Sequence, residues 1–384
     1  MTRKSPPDWI NTTVGEACSI RNDLRLPISR EERVTMDGPY PYYGPTGQLD
    51  AIADFRIDGT FALIGEDGDH FLDVKKKQQT ILVSGKFNVN NHAHVIESTD
   101  LCGAEWFYNY FRHRSIKPFL TRQGAGRYKL NKAALQALPI ALPPPQEQAA
   151  LNALFREWAT AIHKTEQLIA AKERCHAWLL NRLINHHAAR RHWNTVTLGE
   201  VILERSERSA RHNEYPVLTS SRRGLFLQSE YFSKQITSED NTGYKIMRRG
   251  DFTFRSMSDD GRFAFNRLEK HEAGIISPAY GVFHTNGVNP EFLAHLLNST
   301  YFYQLLARET QGGTRKALRF SALDGMEIDL PPRAGQESIA ALLDESLVEI
   351  DLLGQTVGAL KTQKRGMMQK LLTGQWRLNG GFDE

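Results

Sequence analysis

The chain repeats itself, and this restricts its architecture more than any other feature of its 384 residues. The first half ends QGAGRYKLNKAALQALPIALPP, Gln123 to Pro144, and the second ends QGGTRKALRFSALDGMEIDLPP, Gln311 to Pro332. At a constant offset of 188, without a gap, ten of these 22 positions coincide. A shorter match, Trp9–Glu16 against Trp193–Glu200, opens the halves at an offset of 184. A duplication of roughly 185 residues makes each half one structural unit.

The same register runs on into two long helical patterns, each following a Leu-Pro-Pro stop. In the first, Leu151, Phe155, Trp158, Ile162, Thr165, Ile169, Lys172, His176, Leu179 and Leu183 alternate steps of four and three. In the second, Ile339, Leu343, Ser346, Ile350, Leu353, Val357, Leu360, Lys364, Met367 and Leu371 do the same. Such a heptad seam, held over about four and a half heptads, predicts mutual pairing of the helices. Forty helical residues span about 60 Å, more than one globular domain needs. Lys172 and Lys364 are expected to face each other's helices at a cost in stability. Gly354 and Gly358 weaken the second helix locally, and Gly374 is placed to end it.

Between the helices lie mixed segments. Asp54–Gly68, TILVSGKFNVNNHAHVI and YKIMRRGDFTFRSM read as strands with Gly, Asn and Asp turns. GAEWFYNYFRH from Gly103 and NPEFLAHLLNSTYFYQLLA from Asn289 each read as an amphipathic helix. The expected fold class is α+β: two globular α/β domains and two long helices pairing as an antiparallel coiled coil, with an internal pseudo-two-fold repeat. The boundaries expected are a first domain at 1–141, a spacer helix at 142–186, a second domain at 187–329, a second helix at 330–375 and a tail at 376–384.

Catalytic signatures are missing. The sequence holds no phosphate-binding G-x-x-x-x-G-K-[ST] loop, no G-x-S-x-G elbow and no H-E-x-x-H helix. Asp329-Leu330-Pro331-Pro332 resembles an amino-methyltransferase motif only in its letters. Gly124-Ala125-Gly126 lacks the flanking strand and helix of a dinucleotide site. His92-Ala93-His94 puts two imidazoles on one strand face but brings no further ligand pattern, and Asp73-Val74-Lys75 after Glu66, Asp67 and Asp69 only faintly echoes a nuclease. No metal is expected. Cys18, Cys102 and Cys175 lie too far apart for a zinc motif or disulfide framework, so a reducing cytoplasm is the expectation. No apolar run approaches a membrane span, and the first residues carry no secretion signal.

Binding chemistry is richer. The net charge of +4 is compatible with a polyanion without demanding one. Basic and amide side chains recur in glycine-bearing loops at equivalent places, where they can hold phosphate or read base edges. In the first half these candidates are Lys75, Lys76, Lys77, Asn90, Asn91, His92, Arg122, Gln123, Arg127 and Lys129. In the second they are Ser220, Arg222, Arg223, Arg255, Arg262, Gln311, Thr314, Arg315, Lys316 and Arg319.

This constellation resembles the specificity subunit of type I restriction–modification systems over essentially the whole length. The resemblance is carried by YPYYGPTGQLDAIADFRIDGTFALIGEDG from Tyr40, by VLTSSRRGLFLQSEYFSKQI from Val217 with YKIMRRGDF, by the twin LPP-plus-helix segments, and by KRGMMQKLLTGQW from Lys364. It implies a non-catalytic reader of double-stranded DNA. Each globular part would be a target recognition domain for one half of a bipartite asymmetric site. The helices would set the gap and dock two methyltransferase subunits, which carry S-adenosylmethionine; this chain would hold no cofactor. Motor-nuclease subunits would join to cut unmodified DNA. One departure stands out: the second helix opens LPPRAGQ where the first opens LPPPQEQ, so one capping or partner contact is expected to be looser there, with the fold unchanged.

Overall fold

A computed structural model describes residues 6–74, 77–123, 127–231, 240–309 and 316–378, without the side chains of Gln123, Arg127 and Glu309. The chain divides into two compact units. The first comprises Met1–Lys164 with Val357–Glu384, and the second Thr165–Thr356.

The first unit opens with β1 (Ile10–Thr13) and a one-turn helix α1 (Val14–Ala17). Thr13 and Glu16 form a capping box there, so two otherwise orphaned amides are satisfied. β2 (Ser19–Ile20), α2 (Arg30–Val34), β3 (Asp37–Tyr43), β4 (Gln48–Ile52), β5 (Ile57–Gly65), β6 (Thr80–Val89) and β7 (Ala93–Glu97) follow. They make a six-stranded sheet in the order β2-β7-β5-β6-β3-β4, antiparallel except for β3 beside β6. Helix α3 (Ala104–Phe111) packs on this sheet with Trp106, Phe107, Tyr110 and Phe111 all buried. After the hairpin β8 (Thr121–Gln123) and β9 (Arg127–Lys129) come α4 (Lys132–Gln136) and β10 (Pro139–Leu142), which returns to β1 with Ile10 opposite Leu142.

Helix α5 runs Pro145–Leu180 and continues in one wider turn to Asn185. The second unit then repeats the plan. β11 (Asn194–Thr197), α6 (Leu198–Val201), β12 (Ile202–Glu204), the hairpin β13 (Leu218–Ser221) and β14 (Gly224–Leu227), and α7 (Gln228–Tyr231) come first. β15 (Lys245–Arg248), β16 (Phe252–Arg255), β17 (Met257–Ser258), β18 (Asn266–Arg267), β19 (Ala273–Ile276) and β20 (Tyr280–Thr285) follow. α8 (Pro290–Leu297), α9 (Thr300–Glu309), β21 (Lys316–Ala317), α10 (Phe320–Asp324), β22 (Glu327–Leu330) and α11 (Arg333–Leu371) complete it. β11 pairs β22 with Asn194 opposite Leu330, and Thr197 with Glu200 repeats the capping box. The central sheet, β12-β20-β16-β18, corresponds strand for strand to β2-β7-β5-β6.

Two sequence expectations change in detail. The helical stretch from Asn289 is two helices, because the Asn298 side chain turns back to the Ala294 carbonyl and Ser299 Oγ accepts from Phe302 N to start a new one. In YKIMRRGDFTFRSM the glycine turn is Gly250, at φ +91°, and β15 and β16 on either side of it enter different sheets. The long helices begin at Pro145 and Arg333, since Leu142 and Leu330 are committed to β10 and β22.

The heptad seam is seen in both units. Leu151, Phe155 and Ile162 of α5 and Val357, Met368 and Leu371 of α11 are buried in the first, where Leu154, Phe155 and Trp158 meet Lys364 and Met367. In the second, Leu343 is buried, Leu179, Leu183 and Ile339 join its core, and Lys172 reaches Glu349 at 2.7 Å. Ile169, Ile350, Leu353 and Leu360 are half-buried along the same line. Within each unit the start of one helix lies beside the end of the other, so the pairing is antiparallel.

The two seam lysines are not alike. Lys172 has its carboxylate, whereas Lys364 sits among apolar side chains and no described carboxylate pairs with it. Burial, reinforced by Arg112, holds its ammonium below the usual lysine range. The ammonium is therefore less well accommodated in the folded chain than in the unfolded one. Lys364→Leu should raise the melting temperature by a few degrees, the response to about 1 kcal/mol in a unit of this size. Lys172→Leu should gain less, because it sacrifices an ion pair. Calorimetry of both variants checks the ordering, and a destabilised Lys364→Leu would contradict it.

Candidate nucleic-acid interface

In the first unit, three separate stretches of candidates converge on the loop after β5. Glu66 N donates to His92 O at 2.8 Å, and Leu130 N donates to Glu66 O at 2.7 Å. Asp67 bridges to Lys129 through the backbone, and its carboxylate meets His92 Nδ1 at 2.9 Å. The turn Asn90–His92 and the hairpin β8–β9 are thereby fixed beside one another. An open cleft of about 800 Å³ lies here, with Lys77, Asn90 and His92 on its wall opposite the β3–β4 hairpin tip at Pro45 and Thr46.

The candidates have different duties. Lys77 and Arg122 are exposed, and the Arg122 guanidinium rides over the Tyr128 ring at 5.3 Å. Lys129 Nζ is 3.2 Å from Glu66, which also holds Arg25 at 2.8 Å. Asn90 is almost buried, and its Oδ1 accepts from His92 N, so it shapes the turn. The Asn91 carbonyl accepts from Arg25. His94 is inside the protein: its Nε2 meets Leu130 O at 2.7 Å, and its Nδ1 is taken by Asn22 and Arg25. Burial pushes its pKa down. His92 and His94 are thus committed to different partners, and neither needs a metal.

In the second unit the gathering point is the loop after β16. Leu318 N donates to Ser256 O at 2.9 Å, and β17 pairs β21 with Ser258 opposite Lys316. Asp260 holds the loop together. It pairs with Arg222 and accepts from Ser258 Oγ at 3.0 Å and from Arg262 N at 3.2 Å. The Arg222 guanidinium and the Arg262 amide bring its carboxyl down to about 2. Arg222, Arg223, Arg255, Arg262 and Arg319 are exposed, with Arg223 over the Tyr231 ring. Ser220 faces inward, accepting from Asn266 Nδ2 at 2.7 Å. Lys75, Lys76, Gln311, Thr314 and Arg315 lie outside the described residues, as do the side chains of Gln123 and Arg127.

The units correspond here too, although their sequences do not. Arg21 N donates to Val95 O, as Arg205 N does to Val282 O. Glu66 N donates to His92 O, as Ser256 N does to Ala279 O. Asp67 lies opposite Lys129, as Met257 lies opposite Ala317. The basic loops therefore occupy the same place in both units. Sequence reading missed their acidic organisers: Glu66 and Asp67 entered it only as a faint nuclease echo, and Asp260 not at all.

The outward faces of the long helices carry a second feature. Trp178 is 61% exposed, and Leu168, Leu342, Leu347, Val348 and Leu352 are also exposed. All six belong to the second unit. No helix among the described residues is long and apolar enough to cross a membrane.

Comparison with known proteins agrees with this arrangement. The model of the type I restriction modification DNA specificity domain matches residues 6–167 and again 190–359. A relative named as a type I restriction enzyme specificity subunit, from Haemophilus influenzae, is 26% identical over 91% of each chain. The MjaVIII specificity subunit of Methanocaldococcus jannaschii is 20% identical over 97% of this chain and 94% of its own. Among solved structures, the S subunit of a type I restriction-modification system from M. genitalium matches with a TM-score of 0.58 at 12% identity, covering 96% of this chain and 98% of that one. A chain from a structure of type I restriction-modification complex assembly and conformational transition gives 0.55 at 17% identity, over 97% of this chain and all of that one. Matched in both halves by one domain and along its length by such relatives, the chain belongs to the DNA specificity family of type I restriction–modification systems.

Proposed function

We propose that each unit reads one half of a bipartite, asymmetric DNA site, and that α5 and α11 fix the gap between the halves. The observation that carries this reading is the pair of basic loops held at equivalent positions by equivalent backbone hydrogen bonds. Exposed Arg and Lys side chains at both places neutralise phosphate and position the duplex, while neighbouring polar groups meet base edges. The chain supplies recognition only. Methylation of adenine belongs to two methyltransferase subunits carrying S-adenosylmethionine, with motor-nuclease subunits joining for cleavage in the cytoplasm.

The exposed apolar side chains of α5 and α11 are the surface we assign to methyltransferase docking. A solvent-facing tryptophan on a helix pair that also exposes leucines and a valine has the composition of a binding hot spot.

The test is modified-base sequencing of DNA from cells expressing this chain with its methyltransferase subunit, beside cells lacking only this chain. Methyladenine confined to a two-part motif with a fixed gap, and lost in the control, is the expected result. Methylation that persists unchanged without the chain would overturn the reading.

A further inference from the structure

Backbone hydrogen bonds align the units at positions where side chains share nothing. By that alignment Asp67 corresponds to Met257, and His92 to Ala279. The two places are equally situated, each next to a basic loop, yet one is polar and ionic and the other apolar.

In the first unit the Asp67 carboxylate takes Nδ1 of His92, and His92 N is held by Asn90. This fixes the ring and leaves Nε2 for a partner, with the side chain 51% exposed on the cleft. In the second unit, Met257 is 40% exposed and Ala279 is exposed beside it. The Ser256 hydroxyl is given to the Ala279 carbonyl, so no side-chain donor of these residues points outward.

From this we infer that His92 and Met257 are specificity-determining residues at the corresponding places of the two units, His92 hydrogen-bonding a base edge through Nε2 and Met257 packing on a thymine methyl group. The inference rests on the reading of the chain as a DNA specificity subunit. A fixed imidazole nitrogen discriminates between base edges by hydrogen bonding. The C5-methyl of thymine is the apolar feature of the major groove, and a thioether side chain meets it without stranding a polar group. Asp67 is a positioning residue: it holds the ring and does not reach the base itself.

The experiment uses the full chain assembled with its methyltransferase subunit and reads the methylated motif for His92→Ala, Asp67→Asn and Met257→Ala. His92→Ala should relax one base-pair position in one half-site by about 5- to 150-fold. Asp67→Asn should relax the same position, by less. Met257→Ala should relax one thymine-containing position in the other half-site. Asp67→Asn and Met257→Ala decide the matter should His92→Ala fail to assemble. An unchanged motif in all variants, or the same half-site moved by His92→Ala and Met257→Ala, overturns the inference while the specificity role stands. A wild-type assembly with no two-part motif would instead sink the functional reading and this inference with it.

Discussion

Arg377→Ala should destabilise the first unit by about 3 kcal/mol, lowering its melting temperature by about 6–12 °C. Arg377 is bidentate to Glu147 at 2.7 and 2.8 Å, and its guanidinium also grips Asp8 at 2.8 and 2.9 Å. Glu147 is 1% exposed, and beyond Arg377 its described side-chain partner is Trp9 Nε1 at 3.2 Å. Removing the arginine strands a carboxylate out of water, and that loss, not the mean worth of an ion pair, sets the size of the effect. The double variant Glu147→Gln with Arg377→Ala should therefore be more stable than Arg377→Ala alone. Equal stability of the two would mean that Glu147 is indifferent to its partner. The second unit supplies an internal control. Gly335 stands at the place of Glu147, and Arg190 there turns to Asp329 at 3.4 Å and lies over the Tyr301 ring at 3.8 Å. Arg190→Ala should cost less, since it leaves no buried carboxylate.

Trp178→Ala should weaken binding of a methyltransferase subunit by about 30-fold, the effect of removing a tryptophan hot spot worth ~2 kcal/mol. Its melting temperature should be unchanged, because the ring is 61% exposed and outside the apolar core of the unit. Titration of purified chain with the methyltransferase subunit measures the loss. Val348→Asp should act in the same sense, by placing a charge on the apolar face. Unaltered affinity in both variants would remove this face of the helices from the assembly surface. The resemblance to the family implied docking of two methyltransferase subunits, but the large apolar side chains exposed on the described residues of α5 and α11 all fall in the second unit. Counterparts of Trp178 and Val348 in the repeat are Gly366 and Thr160.

Much of this was visible in the residues themselves. Periodicity placed both long helices, because a heptad pattern is a direct image of burial on one helix face. The ends of the repeat were legible because β1 with β10, and β11 with β22, close each unit in the same register. The middles were not, and the reason is physical. Strand pairing is specified by backbone groups that every residue carries, so Glu66 and Ser256 make the same bonds with unrelated side chains. Nor could composition tell which candidates face outward. Asn90 and Ser220 look like surface polar residues, yet both are spent on internal hydrogen bonds.

The carboxylates seated among the arginines have a kinetic meaning. Glu66 occupies Arg25 and Lys129, and Asp260 occupies Arg222. If these loops meet the duplex as proposed, each such pairing leaves fewer cations to displace counterions from an arbitrary stretch of it, and non-specific hold and its salt dependence are both reduced. A protein that scans for a rare site gains from letting go quickly everywhere else, and on that reading the acids within these loops shorten the wait at each wrong address.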